Sequence, residues 1–307
     1  HLDRVQQLGL FYWLPLYGYN SSITAFYARS DVNSGAVGSG GTTFNVSGRG
    51  EFWGLKLTHT LPKYRETSQN VALSVDDKYF HSGVDIMGAP TGVPDIRSRP
   101  LAVRYTARND QPWGVVGGFI EYATNLPGGS ANSDRDYAAT RPGGVGFKGA
   151  AARWNAYHYG LDVSYAAESG WGLSGRLRGQ HAEAPLVSGE QFGLGGVGSV
   201  RGLRDREYSG DKGMTISVEA LGPVLVDTLR PVVFYDFGQA SLVSSQGTSV
   251  RSDVAASVGV GARWRWQSQL EASVDLAHVV NGLSNSGTTP GTPAGHTKLN
   301  LSVFYRF

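Results

Sequence analysis

Apolar and polar residues alternate with a period of two along much of this chain. In residues 253–266, DVAASVGVGARWRW, Val254, Ala256, Val258, Val260, Ala262, Trp264 and Trp266 share one side, while Asp253, Ser257, Arg263 and Arg265 fall on the other. That spacing marks a strand with one apolar face. Its fourteen residues far exceed the ~5–6 of a mean globular strand and suffice to cross a bilayer at a tilt, which takes ~9–11. The two tryptophans close the apolar face as an interfacial girdle would. The same pattern recurs in 157–165, 171–180, 269–280 and 298–307, where leucine, valine and tyrosine oppose Asp162, Arg176, Arg178, Glu271, Asp275 and Lys298. Thirteen strands are predicted, near 5–16, 20–31, 50–61, 69–80, 98–108, 113–123, 155–167, 171–182, 213–222, 230–239, 253–266, 268–280 and 296–307. No helical periodicity of useful length stands out.

Two architectures show such alternation: a soluble sandwich with its polar face outward, and a membrane barrel with its apolar face outward. The length of the strands favours the barrel. So do apolar faces built from alanine, glycine and rim aromatics rather than bulky core fillers. Short connectors (168–170, 267–268) interleave with long polar ones rich in glycine and proline (33–49, 81–97, 124–150, 183–212, 281–295), which is the outer-membrane arrangement of tight turns on one rim and loops on the other. The expected fold is therefore all-β: a transmembrane antiparallel β-barrel occupying residues 1–307.

Composition supports this and narrows the function. Charged residues are only 17% of the 307, against about 25% in soluble domains, and there are 43 glycines. The net charge of +2 carries no electrostatic signature of a nucleic-acid binder. With no cysteine, disulfides and thiolate metal sites are excluded. No apolar run reaches the ~18 residues of a membrane helix, and the mildly negative mean hydropathy suits a barrel that averages a greasy exterior against a polar bore. The chain opens on His1 rather than methionine, so a processed or truncated product is expected.

Against this sparing use of charge, residues 198–213, GSVRGLRDREYSGDKG, hold seven charges and four glycines in one connector. The surrounding segment carries "SGEQFGLGG", then "VRG" (Val200, Arg201, Gly202, followed by Leu203), then "GDKG" (Gly210, Asp211, Gly213), then a strand bearing Glu219. The next strand carries "FYDFG", with Phe234, Asp236 and Gly238. In type and order these pieces resemble the two-partner secretion transporters (TpsB type, haemolysin secretion/activation proteins), with looser likeness along the whole chain.

The resemblance implies a sixteen-stranded barrel whose sixth extracellular loop folds back into the lumen, where the VRG arginine pairs with the F-x-D-x-G aspartate. Here that pair is Arg201 and Asp236. Leu203 stands where the family usually has tyrosine or phenylalanine, so the loop tip carries an aliphatic side chain in place of an aromatic one. Relative to the family, three strands, the periplasmic POTRA domains and an N-terminal plug helix are expected to be missing. The alternation through Tyr305 to Phe307 resembles a C-terminal signal for barrel assembly. The implied function is export of a large partner exoprotein (an adhesin, haemolysin or toxin) from periplasm to surface, with no cofactor and with folding of the cargo outside as the driving force.

Elementary chemistry agrees. Asp236 alternates with Val233, Tyr235 and Phe237, so it points inward if they face lipid, and a guanidinium can satisfy it through two parallel hydrogen bonds. Gly195, Gly196, Gly198 and Gly202 would let the loop turn tightly against the wall. Arg176, Arg178, Arg263 and Arg265 are expected in the lumen, where they could line a passage or anchor the plug. No metal pattern joins the seven histidines and no nucleophile elbow occurs, so no enzyme and no metal is expected. The expected partners are the exoprotein, outer-membrane lipids and the barrel-assembly machinery, with no nucleic acid. A passive porin or an insertase-type assembly factor are the alternatives.

Overall fold

A computed structural model describes residues 7–30, 50–81, 94–245, 251–266, 269–284 and 290–305, with short strand pieces at 36–39, 42–45, 85–86 and 89–90. Thirteen strands line up in chain order in one antiparallel sheet. They are β1 (Gln7–Leu16), β2 (Ser21–Ser30), β3 (Gly50–Tyr64), β4 (Thr67–Phe80), β5 (Pro100–Gln111), β6 (Gly114–Asn125), β7 (Asn155–Ala166), β8 (Gly172–Ala182), β9 (Lys212–Leu221), β10 (Arg230–Ser241), β11 (Ser252–Trp266), β12 (Leu270–Asn281) and β13 (Thr297–Tyr305). All thirteen expected strands are present. A fourteenth piece, Ile96–Ser98, pairs with the end of β4. Among the described residues β1 and β13 do not pair with each other, so the wall is not closed between them.

The connectors alternate strictly. Those after odd-numbered strands are the shorter, from two residues at Arg65-Glu66 and Pro112-Trp113 to eight at 222–229, and those after even-numbered strands are longer, ten residues or more. Every tight turn therefore sits on one rim and every long loop on the other. Aromatics gather at the tight-turn rim: Tyr17, Trp171, Trp266 and Tyr305 are all more than half exposed, and Trp113 leans on Tyr165 with ring centroids 6.3 Å apart. The expected turn at 267–268 and the terminal Phe307 lie outside the described residues.

The two faces divide as the alternation requires. On β10, Val233 and Tyr235 are exposed while Val232, Phe234, Asp236 and Ala240 are buried. On β13, Leu299, Leu301 and Val303 are 61–70% exposed. A continuous exposed band of this composition is a surface made for hydrocarbon. Inside, the long-loop half is filled by two apolar clusters. One joins Phe52, Phe80, Ala102, Ala123 and Ala156 of the wall to Leu186 and Val187 of the connector after β8. The other joins Leu194, Val200 and Leu203 of that connector to Ala240, Ala255 and Val279. The connector is thus packed into the bore rather than solvated above it.

The absence of helix expected from periodicity needs correcting. A helix, α1 (Asp134–Thr140), lies in the connector after β6. Ser133 and Asp136 form a reciprocal capping box at its start, and Tyr137 is its one buried residue. Seven residues with one buried position carry no detectable 3.6-residue period; only the Ser-x-x-Asp spacing announces it.

Candidate functional site

The connector 183–211 leaves β8, forms a small antiparallel pair between Phe192–Leu194 and Tyr208–Gly210, and sends its tip, 195–207, against the inner wall. Three glycines make the tip: Gly195, Gly196 and Gly202 have φ of +114°, +93° and +98°, a region costly for other residues. Gly238 makes the seat. A Cβ there would lie 2.1 Å from Leu194 and 2.9 Å from Val200, so only a bare backbone admits the hairpin. Gly213 is likewise covered by the Phe192 ring, and Gly210 abuts the backbone of Ser241. Val200 and Leu203 are fully buried. Leu203 fills the apolar position without an aromatic ring.

Arg201 enters the wall at this seat. Its Nε donates to Asp236 Oδ2 at 2.7 Å and its Nη2 to Asp236 Oδ1 at 2.8 Å, forming the expected fork. Nη2 also donates to Ser217 Oγ at 3.2 Å, and Nη1 donates to Glu219 Oε1 at 2.6 Å and to Asp275 Oδ2 at 3.5 Å. A guanidinium has five N–H donors, and each has an acceptor here. Asp236, 1% exposed, is equally complete: it also accepts the Arg201 backbone N–H at 3.1 Å and the Ser217 hydroxyl at 2.7 Å. The Arg201 guanidinium lies 3.4 Å from the centroid of the Phe234 ring, and that ring in turn covers Gly259, where a Cβ would come within 2.2 Å. Burial opposes the charge on Arg201, yet the Asp236 and Glu219 carboxylates hold its pKa above the ordinary value.

Strand register assembles these partners. Ser217 lies beside Asp236 across β9 and β10, and Ser257 lies on its other side on β11. Arg263 completes the knot, donating to Asp275 Oδ1 at 2.6 Å and Glu219 Oε1 at 3.2 Å. Three carboxylates thus share two guanidinium groups. The other lumen arginines pair elsewhere: Arg176 and Arg178 with Asp162, at 3.6 and 2.8 Å, and Arg265 with Glu271 at 3.4 Å. Arg176 still faces the knot across a polar cavity of about 210 Å³ that the tip residues Val197 to Ser199 also line.

A second hub lies at the base of the hairpin. Asp211 is fully buried and accepts both arms of Arg141 at 2.6 and 2.9 Å, together with the backbone N–H of Leu186 and Val243. Arg141, at the end of α1, also donates to the carbonyls of Leu186 and Ser244. Three long connectors are tied here. On the return limb, Arg204 pairs with Glu207 at 2.8 Å, and Glu207 accepts from Thr292 of the last connector. Burial raises the Glu207 pKa, but these hydrogen bonds outweigh it and hold the carboxyl below its usual range. Tyr208 is pushed up to about 12 by burial and by the charges of Asp253 and Asp211.

Sequence reasoning found Arg201, Asp236, Glu219, Asp211 and the glycines. It missed Ser217 and Asp275 as partners of Arg201, and Arg141 altogether. The arrangement holds an infolded hairpin against the inner face of the wall.

Comparison with known proteins accords with this. Residues 2–264 match the family described as haemolysin secretion/activation protein ShlB/FhaC/HecB. Among solved structures the chain is similar to CdiB from Escherichia coli, at 17% identity and a TM-score of 0.73 over 98% of this chain and 53% of that one. It is also similar to CdiB from Acinetobacter baumannii (17%, TM-score 0.59, 99% and 51%) and to BamA from Haemophilus ducreyi lacking POTRA domains 1-3 (12%, 0.59, 98% and 62%). The chain spans about half the length of the two CdiB structures. No curated protein matches its sequence.

Proposed function

The chain belongs to the haemolysin secretion/activation protein family ShlB/FhaC/HecB, and from that membership we propose that it forms the wall and plug of an outer-membrane pore that exports a large partner exoprotein. Its all-β sheet with an apolar outer band belongs in the bacterial outer membrane. In this proposal the cargo is an unfolded adhesin, haemolysin or toxin. It passes through the bore from periplasm to surface and is drawn out by its own folding. Outer-membrane lipids bathe the outer band, and the barrel-assembly machinery inserts the protein.

One observation carries the reading: the connector after β8 occupies the bore, and its Arg201 has every donor paired by the wall. A passive porin needs no such stopper, whereas an exporter must keep a wide bore shut at rest. Asp236→Ala removes four of the bonds that fix the tip. Breaking one side of a buried pair costs about 3–5 kcal/mol, less in a wet lumen. Secretion of the partner into the medium should fall about tenfold or more while the protein still inserts and keeps its heat-modifiable mobility on gels. Unaltered secretion would remove the role assigned to the pair.

A further inference from the structure

The leading limb of the connector, 183–192, meets a part of the wall remote from the Arg201 knot. Glu190 Oε2 accepts from Lys78 Nζ of β4 at 3.1 Å, with both side chains largely buried. Beside it, Gly189 lies against the Phe80 ring, where a Cβ would come within 2.4 Å. Lys78 is six strands along the sheet from Asp236, counting from β4 to β10. At the other extreme, Lys298 of β13 donates to the Leu203 carbonyl at 3.0 Å. The connector therefore crosses the bore as a bar with separate footings.

Beyond the Asp211–Arg141 hub, which holds Leu186 at the root of the limb, the two charged footings on the wall differ in quality. The Arg201 knot has every donor matched. At the other footing, Glu190 Oε1 is buried with no hydrogen-bond partner among the described residues, and an unmet buried acceptor weakens the contact that buries it. If residues 188–192 lift, Glu190 exchanges a half-satisfied burial for water. If the tip lifts, Asp236 loses its guanidinium inside the wall.

We propose that Lys78 and Glu190 form a releasable latch on the leading limb, and that this latch opens before the Arg201 knot, as the first step of unplugging. The proposal rests on the export-pore reading, which makes the connector a moving plug. Arg206 couples the two steps, because it donates to the carbonyls of Ser188 and Gln191 and so ties the leading limb to the return limb.

The test is conductance of the purified protein in planar bilayers, which requires no cargo. Lys78→Met leaves Glu190 buried and unpaired, and Glu190→Leu leaves Lys78 without its ion-pair partner. Lys78→Met should raise the frequency of partial openings about tenfold without increasing full openings, because the Arg201 knot still holds. The double variant Lys78→Met/Glu190→Leu replaces the pair by apolar groups and should lie nearer to wild type than the two single effects combined predict. Glu190→Gln, confined to the connector and nearly isosteric, should show the same partial openings in a wall that is untouched. Partial openings unchanged in Lys78→Met and Glu190→Gln, or strictly additive single effects, would overturn the latch. Secretion measured in parallel separates the two readings: conductance that follows this pattern in a protein that exports nothing would keep the latch and end the export reading.

Discussion

At the scale of the residue, Arg201 shows why type matters as much as charge. Its fork meets Asp236 while its remaining donors reach three further partners on β9 and β12. Lysine keeps the charge but offers three donors from a single point. Arg201→Lys should therefore cost about 1–3 kcal/mol of anchoring and raise full-size openings in planar bilayers, whereas an Arg201→Lys protein that gates like wild type would show the fork to be immaterial. The Arg201–Asp236 pair was legible in the sequence through the order of its motifs, from "VRG" to "FYDFG". Ser217, Asp275, Lys78 and Arg141 were not. Each is a common residue on a distant segment, and its contact depends on how strands are registered across the sheet, which no local pattern encodes.

At the scale of the element, the period-two pattern located all thirteen wall strands, because strands of nine or more residues repeat the signal often enough to dominate turn noise. It could not say where an inward apolar residue would go. Ala277 and Val279 of β12 face the bore and are fully buried, because the connector tip lies on them: a Cβ at Gly202 would come 2.8 Å from Val279. The short α1 was invisible to periodicity for the opposite reason, having too few turns. The outer face gives a sharp test. Val260 on β11 is 56% exposed toward lipid, and Val260→Arg should destabilise the folded barrel by about 2–4 kcal/mol if it lies near the bilayer midplane. Ser164, exposed on the polar face of β7, should accept arginine at far less cost. Urea titration of both variants in lipid vesicles reads the difference, and equal effects would contradict the assigned faces.

At the scale of the whole molecule, the structure is a wall whose long loops fold inward and are tied together by buried charge. Asp211 fastens the loops after β6, β8 and β10, and the Arg201 knot fastens the hairpin to β9, β10 and β12. The central claim is that this hairpin occupies the bore in the membrane. The chain lacks cysteine, so an introduced pair can report on it without interference. A Cβ at Gly202 would lie 3.6 Å from Cβ of Ala277 on β12, within the ~3.5–4.5 Å span of a disulfide. A cysteine at 202 bears the strain of φ +98°, about 1–3 kcal/mol, which a disulfide worth about 2–4 kcal/mol offsets, so Gly202→Cys and Ala277→Cys, with Val279→Ala to make room, should cross-link spontaneously in the oxidising periplasm and block secretion until a reductant is added. Cysteines that stay free in the intact outer membrane, with the one at position 202 open to a membrane-impermeant reagent from outside, would place the hairpin in solvent and contradict the account.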